Sequence, residues 1–516
     1  MLDRVKRYAG FYSFMLIVCL PQLGYVQDNT GKDFLSPIEW TMLKDTGSFY
    51  YINFEKYKAS PELPIGVFDS GTGGLAILNT ILTYDQHNNS TQVLGGDGIT
   101  DFEKEQFIFL ADQANMPYGN YSIENKTDLL VEHVFKDVQF LLSNRYYLDG
   151  ADAVSHTGKK QVKTIVIACN TATAYAKSKI DSFIQQTGVN LKLIGVIDAG
   201  AKAVMDILDK EENASVAVLA TVGTIASKGY ERTILSLKDK LGFTGQLRIF
   251  NQGGYGLAES IDGVSDFIAA KASAPRSDYK GPVFSSGEFA IDRTLLKAYN
   301  FNFENNGMLC DTRKEDECNI LQINSPVNYL RYHLVSMMEK IKRADNSPPL
   351  KAIVLGCTHY PYLIKELRGV LKELYDFQKD GKYVYRSLMA EHIQLIDPAE
   401  NVAAELFEYL QKNRLFNSGS PTSMGTNEFY ISVPNLTNKH VKLNAQGEMS
   451  YEYKYGRKAG EIQEYVKVVP FSRKNISAET LERLQLLTPA AYRQIKMFHT
   501  SNTKLATLPT AFKILD

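Results

Sequence analysis

Short apolar runs that stop at small or polar residues, with helical stretches between them, constrain this chain more than any other feature. Ile65-Gly-Val-Phe68 ends at Asp69, Phe107-Ile-Phe-Leu110 ends near Asp112, and Ile165–Ala168 ends at Cys169. Leu193–Ile197, Val216–Leu219 and Ile353–Leu355 continue the series. Runs of this length, rich in β-branched residues and bounded by turn formers, suit buried strands. Leu75–Leu82, Leu129–Leu142 and Ala172–Ile184 have helical spacing and lie between them. Strands alternating with helices predict a parallel sheet covered on both faces. In such sheets ligands bind beyond the carboxyl ends of the strands.

Two of those ends are near-copies. Thr164-Ile-Val-Ile-Ala-Cys169-Asn-Thr171 and Ala352-Ile-Val-Leu-Gly-Cys357-Thr-His359 each place a cysteine where a strand hands over to a loop or helix. A second echo matches Ile65-Gly-Val-Phe-Asp-Ser-Gly71 with Ile194-Gly-Val-Ile-Asp-Ala-Gly200 at five of seven positions. Two echoes in the same order predict two related halves, each contributing one thiol. The expected fold is α/β, with two pseudo-symmetric three-layer lobes built on parallel sheets and a site in the cleft. The division reads as a leader over 28–60, a first lobe over 61–195 plus 373–415, and a second over 196–372. An Asn-, Ser- and Lys-rich insertion is expected at about 260–325, with shorter ones at His87–Glu105 and Asn144–Gln161. Residues 416–516 form an extension expected to pack on the first lobe. They carry a strand at Phe429–Val433, hairpin-like alternation over 440–470, and a helix around Ala478–Leu487.

A net charge of −1 over 516 residues gives no general attraction to nucleic acid or anionic membrane. The N-terminus differs: Arg4, Lys6 and Arg7 precede an apolar stretch from Phe11 to Leu20. That is the layout of an export signal over residues 1–27, and it predicts a periplasmic or membrane-associated protein. A retained anchor, or a buried helix in a cytoplasmic protein, are the alternatives. The apolar stretch is short beside the ~20 residues of a spanning helix. Of the five cysteines, Cys310 and Cys318 share a polar stretch. They would close a local disulfide in an oxidising compartment and stay free thiols in a reducing one. No second Cys/His pair lies nearby with zinc spacing, and no metal is expected.

Asp69-Ser-Gly-Thr-Gly-Gly74 follows a strand and opens a helix, as a carboxylate-binding turn would. It has neither the Walker nor the dinucleotide glycine spacing. A cysteine in an apolar strand is usually a small core residue. Asn-Thr after Cys169 and Thr-His after Cys357 have no reason to crowd a core. A thiol beside a helix N-terminus tends toward thiolate, and His359 lies two residues past Cys357.

Five motifs then carry a resemblance: Ile65-Gly-Val-Phe-Asp-Ser-Gly-Thr-Gly-Gly74, Met116-Pro-Tyr-Gly119, Ala168-Cys-Asn-Thr-Ala172, Leu219-Ala-Thr-Val-Gly-Thr-Ile225 and Leu355-Gly-Cys-Thr-His-Tyr-Pro361. In this order, over roughly residues 63–405, the chain resembles the cofactor-independent aspartate/glutamate racemase superfamily, and its glutamate racemase family most. The resemblance implies two cysteines, Cys169 and Cys357, that exchange an amino acid's α-proton on opposite faces, with one thiolate and one thiol. It implies Asp69 and His359 as their assistants, and Glu259 as an acidic residue near the second cysteine. The Cys-Pro that the family carries ahead of Glu259 is Gln252-Gly253 here. It implies substrate binding by Asp69, Ser70, Tyr118, Gly119, Asn170, Thr171, Thr358 and His359. No cofactor and no metal are implied.

The expected reaction is interconversion of L- and D-glutamate, feeding D-glutamate to peptidoglycan. Aspartate or broader specificity is the nearest alternative. Superfamily relatives that decarboxylate or isomerise small diacids often lack one cysteine. An exported two-lobed amino-acid-binding protein would have no use for paired thiols. The expected partner is a small amino acid and not nucleic acid, with a homodimer left open.

Overall fold

The computed structural model describes residues 35–284, 287–312, 317–419 and 426–515. The export layout of residues 1–27 lies outside them.

β1 (Ile65–Asp69) sends Ile65 and Val67 into one core and Phe68 into another. Such two-faced burial is what the middle of a parallel sheet requires. It lies among β2 (Phe107–Ala111), β3 (Thr164–Ile167) and β4 (Leu193–Gly195) in the order β2-β1-β3-β4, all parallel. Ile65 faces Phe107 on one side and Thr164 on the other. A second parallel sheet contains β5 (Ala214–Ala220), β6 (Leu247–Gly253), β7 (Leu350–Gly356) and β8 (Met389–Ile396) in the order β6-β5-β7-β8.

The two orders are equivalent. In each, the chain adds a neighbour on one side and then crosses to the other. The crossing falls between β1 and β3 in one sheet and between β5 and β7 in the other. Such switch points open a crevice at the strand ends. Cys169 lies just past β3, and Cys357 directly follows β7. The counterpart of β1 is therefore β5, and the likeness of Ile194–Gly200 to Ile65–Gly71 does not reflect the duplication. The expected strand Leu193–Ile197 also stops at Gly195, because Val196 already begins a helix.

The helices around these sheets include α1 (Leu75–Thr83), α2 (Thr127–Leu142), α3 (Asn170–Thr187), α4 (Val196–Ile207), α5 (Val222–Ser227), α6 (Pro326–Arg343), α7 (Pro398–Asn413), α8 (Ala478–Leu487) and α9 (Pro489–Ser501). α2 and α3 cover one face of the first sheet, burying Leu130, Val134, Val138, Ala176 and Ile180. The opposite face meets α1, α4 and α7 in a core that continues to Val218 and Val354 of the second sheet. α4 and α7 are thus a middle layer shared by both sheets. α6 and the helix Ile364–Asp376 cover the far face of the second sheet through Leu330, Leu334 and Leu367. Each fully buried side chain of this kind contributes about 1.5–3 kcal/mol.

Three assignments change. The segment 373–415 is divided: β8 joins the second sheet and only α7 returns to pack on α1 and α4. β8 is an edge strand with half-exposed residues, so it lacks the apolar run that would announce it. Residues 416–516 do more than lie on the first lobe. β9 (Glu428–Pro434) pairs in parallel with β2, and β10 (Val466–Pro470) pairs antiparallel with β9, widening the sheet to six strands. The expected hairpin over 440–470 is instead an isolated bridge between Leu443 and Met449, a helix Tyr451–Gly456 and β10.

In the insertion, Met308–Cys310 pairs with Leu321–Ile323, and a Cys310–Cys318 disulfide closes the ribbon. Within the leader, the helix Pro37–Lys44 and Tyr57 pack on the first lobe, where the Tyr57 hydroxyl donates to the Val162 carbonyl.

Candidate active site

β3 delivers Cys169 to the first position before α3. Its backbone is extended there, and its sulfur accepts the Ala172 N–H at 3.4 Å. The thiol lies 3.7 Å from Ser70 Oγ. Asp69 ends the neighbouring β1, and its Oδ2 accepts the Gly74 N–H at 2.7 Å. Burial raises the Asp69 carboxyl above the ordinary carboxylate value, against the pull of the Gly74 and Ser70 N–H groups. Burial, then the charge of Asp69, push the Cys169 thiol up to about 12. Cys169 is therefore a protonated thiol near neutral pH.

Cys357 has a different neighbour. Its sulfur is 3.6 Å from His359 Nδ1, and His359 Nε2 is 3.0 Å from Asp262 Oδ1. Burial alone would lower the imidazole, but hydrogen bonding to Asp262 and to the Cys357 sulfur outweighs it. The result is a value raised to about 10. His359 is an imidazolium at neutral pH, with a carboxylate on one nitrogen and a sulfur on the other. Arg483 Nε lies 3.5 Å from the same Asp262 oxygen.

Both cysteines open into one cavity of about 560 Å³. Its walls include Asp69, Ser70, Asn170 and Thr171 from the first lobe, and Thr221, Thr224, Thr358 and His359 from the second. The glycine loop approaches the second lobe closely. A Cβ on Gly73 would meet Thr358 Oγ1 at 3.3 Å and Asp69 Oδ2 at 3.4 Å. Asn170 also bridges the lobes, its Oδ1 accepting the Tyr230 hydroxyl at 2.9 Å.

Three residues proposed for the site from sequence do not line this cavity. Tyr118 is buried, and its hydroxyl donates to Asp112 at 2.6 Å and lies 2.8 Å from Asp137. Gly119 packs backbone to backbone against Gly223 of α5, where a Cβ on Gly223 would come within 3.1 Å of the Gly119 Cα. It serves lobe contact. Glu259 sits on the short helix Leu257–Ile261, where burial raises its carboxyl. Asp262, three residues later, is the carboxylate that reaches His359.

Sequence reasoning missed Asp262, Thr221 and Thr224 as wall residues. The two threonines lie within a quoted motif, and their signal was readable. It also missed Glu448, Asn475, Ser477, Thr480 and Arg483, which the C-terminal extension brings to the same cavity. Nothing local in that segment announces a site.

No family model matches the chain. A glutamate racemase from Lactobacillus johnsonii is 27% identical over 353 residues, covering 68% of this chain and 83% of that protein. A glutamate racemase from Lactobacillus helveticus is 24% identical over 369 residues, covering 72% and 88%. The chain is thus similar to glutamate racemases over about two thirds of its length. Solved superfamily structures are more distant. Glutamate racemase isoform RacE1 from Bacillus anthracis is 21% identical, covering 70% of this chain and 86% of that one, with a TM-score of 0.39. Glutamate racemase from Francisella tularensis with D-glutamate is 20% identical, covering 77% and 95%, also with a TM-score of 0.39. The relatives support racemase activity.

Proposed function

We propose that the protein interconverts L- and D-glutamate by proton transfer at the α-carbon between Cys169 and Cys357, without a cofactor. The observation that carries this reading is one cavity reached by two thiols from equivalent strand ends of two lobes, with unlike neighbours. One sulfur lies beside an imidazolium and the other beside a buried carboxyl. A free enzyme with one thiolate and one thiol needs that asymmetry.

In the first half-reaction the Cys357 thiolate takes the α-proton, and the electron pair stays on the α-carbon and its carboxylate. The Cys169 thiol then delivers its proton to the opposite face. Cys357 ends as thiol and Cys169 as thiolate, and the reverse sequence converts the other enantiomer. The α-proton of an amino acid is weakly acidic, so donors must be in place before charge develops. The Gly74-side loop, the start of α3, and the hydroxyls of Thr221, Thr224 and Thr358 are suited to that task. His359 holds the charge of Cys357, and Asp69 exchanges hydrogen bonds with Cys169 as its charge changes.

D-Glutamate made this way would feed peptidoglycan. The N-terminal layout and the Cys310–Cys318 disulfide together support an exported protein. Sequencing the mature N-terminus tests that point, and an intact Met1 would reject cleavage.

The reaction is tested by incubating the reduced protein with L-Glu, D-Glu, L-Asp and D-Asp in D2O. α-Deuterium uptake and chiral analysis should identify glutamate as the substrate. Faster exchange of aspartate would move the specificity, and no exchange with any of the four would refute the reading.

A further inference from the structure

The cavity wall is built partly from the C-terminal extension, and that part has its own chemistry. α8 begins after Ser477, whose hydroxyl accepts the Thr480 N–H. Thr480 and Arg483 are one helical turn apart and share a face, and both line the cavity together with Ser477. Leu481 and Leu484 are buried in the core that joins the two sheets and fix the helix. Among the described residues, Arg483 is the one lysine or arginine lining this cavity.

The other cation, His359, is committed to Asp262 and Cys357. Arg483 is less committed. Its 3.5 Å separation from Asp262 is longer than a charge-assisted hydrogen bond. A guanidinium also carries five N–H donors in a fork that matches a carboxylate. Its side chain is 27% exposed, whereas both cysteines are 6% exposed. The guanidinium therefore stands toward the mouth and the sulfurs lie deep. A substrate with its α-carbon between the sulfurs must point its side chain outward, toward α8.

We propose that Arg483 is a specificity-determining residue that holds the side-chain carboxylate of an acidic amino acid. The assignment rests on the racemase reading for the position of the α-carbon. It places substrate selection on a segment outside the two lobes that carry the thiols. Arg483 exchanges its loose contact with Asp262 for the substrate carboxylate, which leaves Asp262 to His359 alone.

The test is calorimetric binding of L-glutamate and L-glutamine to full-length wild type, Arg483→Gln and Arg483→Lys, each checked for an unchanged thermal midpoint. Wild type should prefer glutamate. Arg483→Gln should weaken glutamate about 10- to 100-fold, the usual cost of a lost charged hydrogen bond. Glutamine binding should stay within about twofold, and Arg483→Lys should recover part of the loss. Equal weakening of both ligands, no weakening of glutamate, or no glutamate binding by wild type would overturn the assignment. A wild type that binds glutamate but takes up no α-deuterium would refute the racemase reading and leave the Arg483 assignment standing.

Discussion

Asp262→Asn isolates the electrostatics of the Cys357 side. The substitution preserves shape and removes the carboxylate that sits 3.0 Å from His359 Nε2. Without it only the Cys357 sulfur still raises the imidazole against burial, and its value falls from about 10. At pH 8 less of His359 would then be imidazolium, and the sulfur of Cys357 would lose part of its neighbour's positive charge. An adjacent opposite charge is worth about 1–3 pK units to an ionised group. Activity at pH 8 should therefore fall about 10- to 1000-fold.

Stability gives a second readout. The folded pKa of His359 is raised, so its contribution is fully present below pH 6.5 and is lost as pH rises toward 10. Within that window the wild type should lose up to about 1.4 kcal/mol per pH unit from this group, or about 3 kcal/mol between pH 7 and 9. Asp262→Asn should show a shallower slope. Urea unfolding at pH 7, 8 and 9, together with the pH dependence of kcat/KM, measures both. Equal slopes in the two proteins, with rates within threefold, would refute the Asp262–His359–Cys357 arrangement.

Cys169→Ala and Cys357→Ala should each lower racemization by at least about 10²- to 10⁴-fold, the range of a lost acid–base group. Their thermal midpoints should stay near wild type, and full turnover by either would refute two-thiol transfer. Gly73→Ala should push Thr358 and Asp69 apart, lowering kcat/KM about 10-fold or more, as small misplacements do. Phe429→Ala, at a residue 1% exposed in the strand that joins the extension to the first sheet, should cost about 3–5 kcal/mol in urea unfolding. Cys310→Ser with Cys318→Ser opens a loop of eight-residue separation and should destabilise by about 2–3 kcal/mol. Racemization should be unchanged in that pair, because the ribbon does not line the cavity.

Much of the fold was legible because central parallel strands are buried on both faces. Ile65–Asp69, Phe107–Ala111, Thr164–Ile167 and Ala214–Ala220 therefore stand out as apolar runs. Met389–Ile396 and Leu247–Gly253 are edge strands with exposed or half-buried residues, and they did not. Site residues followed a similar rule. Those within a turn or two of a strand end, from Asp69 to Gly74, Cys169 to Thr171 and Cys357 to His359, share local motifs. Tyr118 sits in such a motif too, yet its hydroxyl is drawn into a buried pair of carboxyls that only packing brings together.

The sequence by itself determined the alternation that makes a doubly covered parallel sheet, and the two strand ends that carry thiols. Both depend on spacing along a few residues. The tertiary structure decided which carboxylate serves His359, which strand pairs with which, and that α8 closes the cavity with Arg483. Those contacts join residues far apart in the chain. They depend on how the middle helices pack two sheets together and on β9 docking beside β2, which no local pattern encodes.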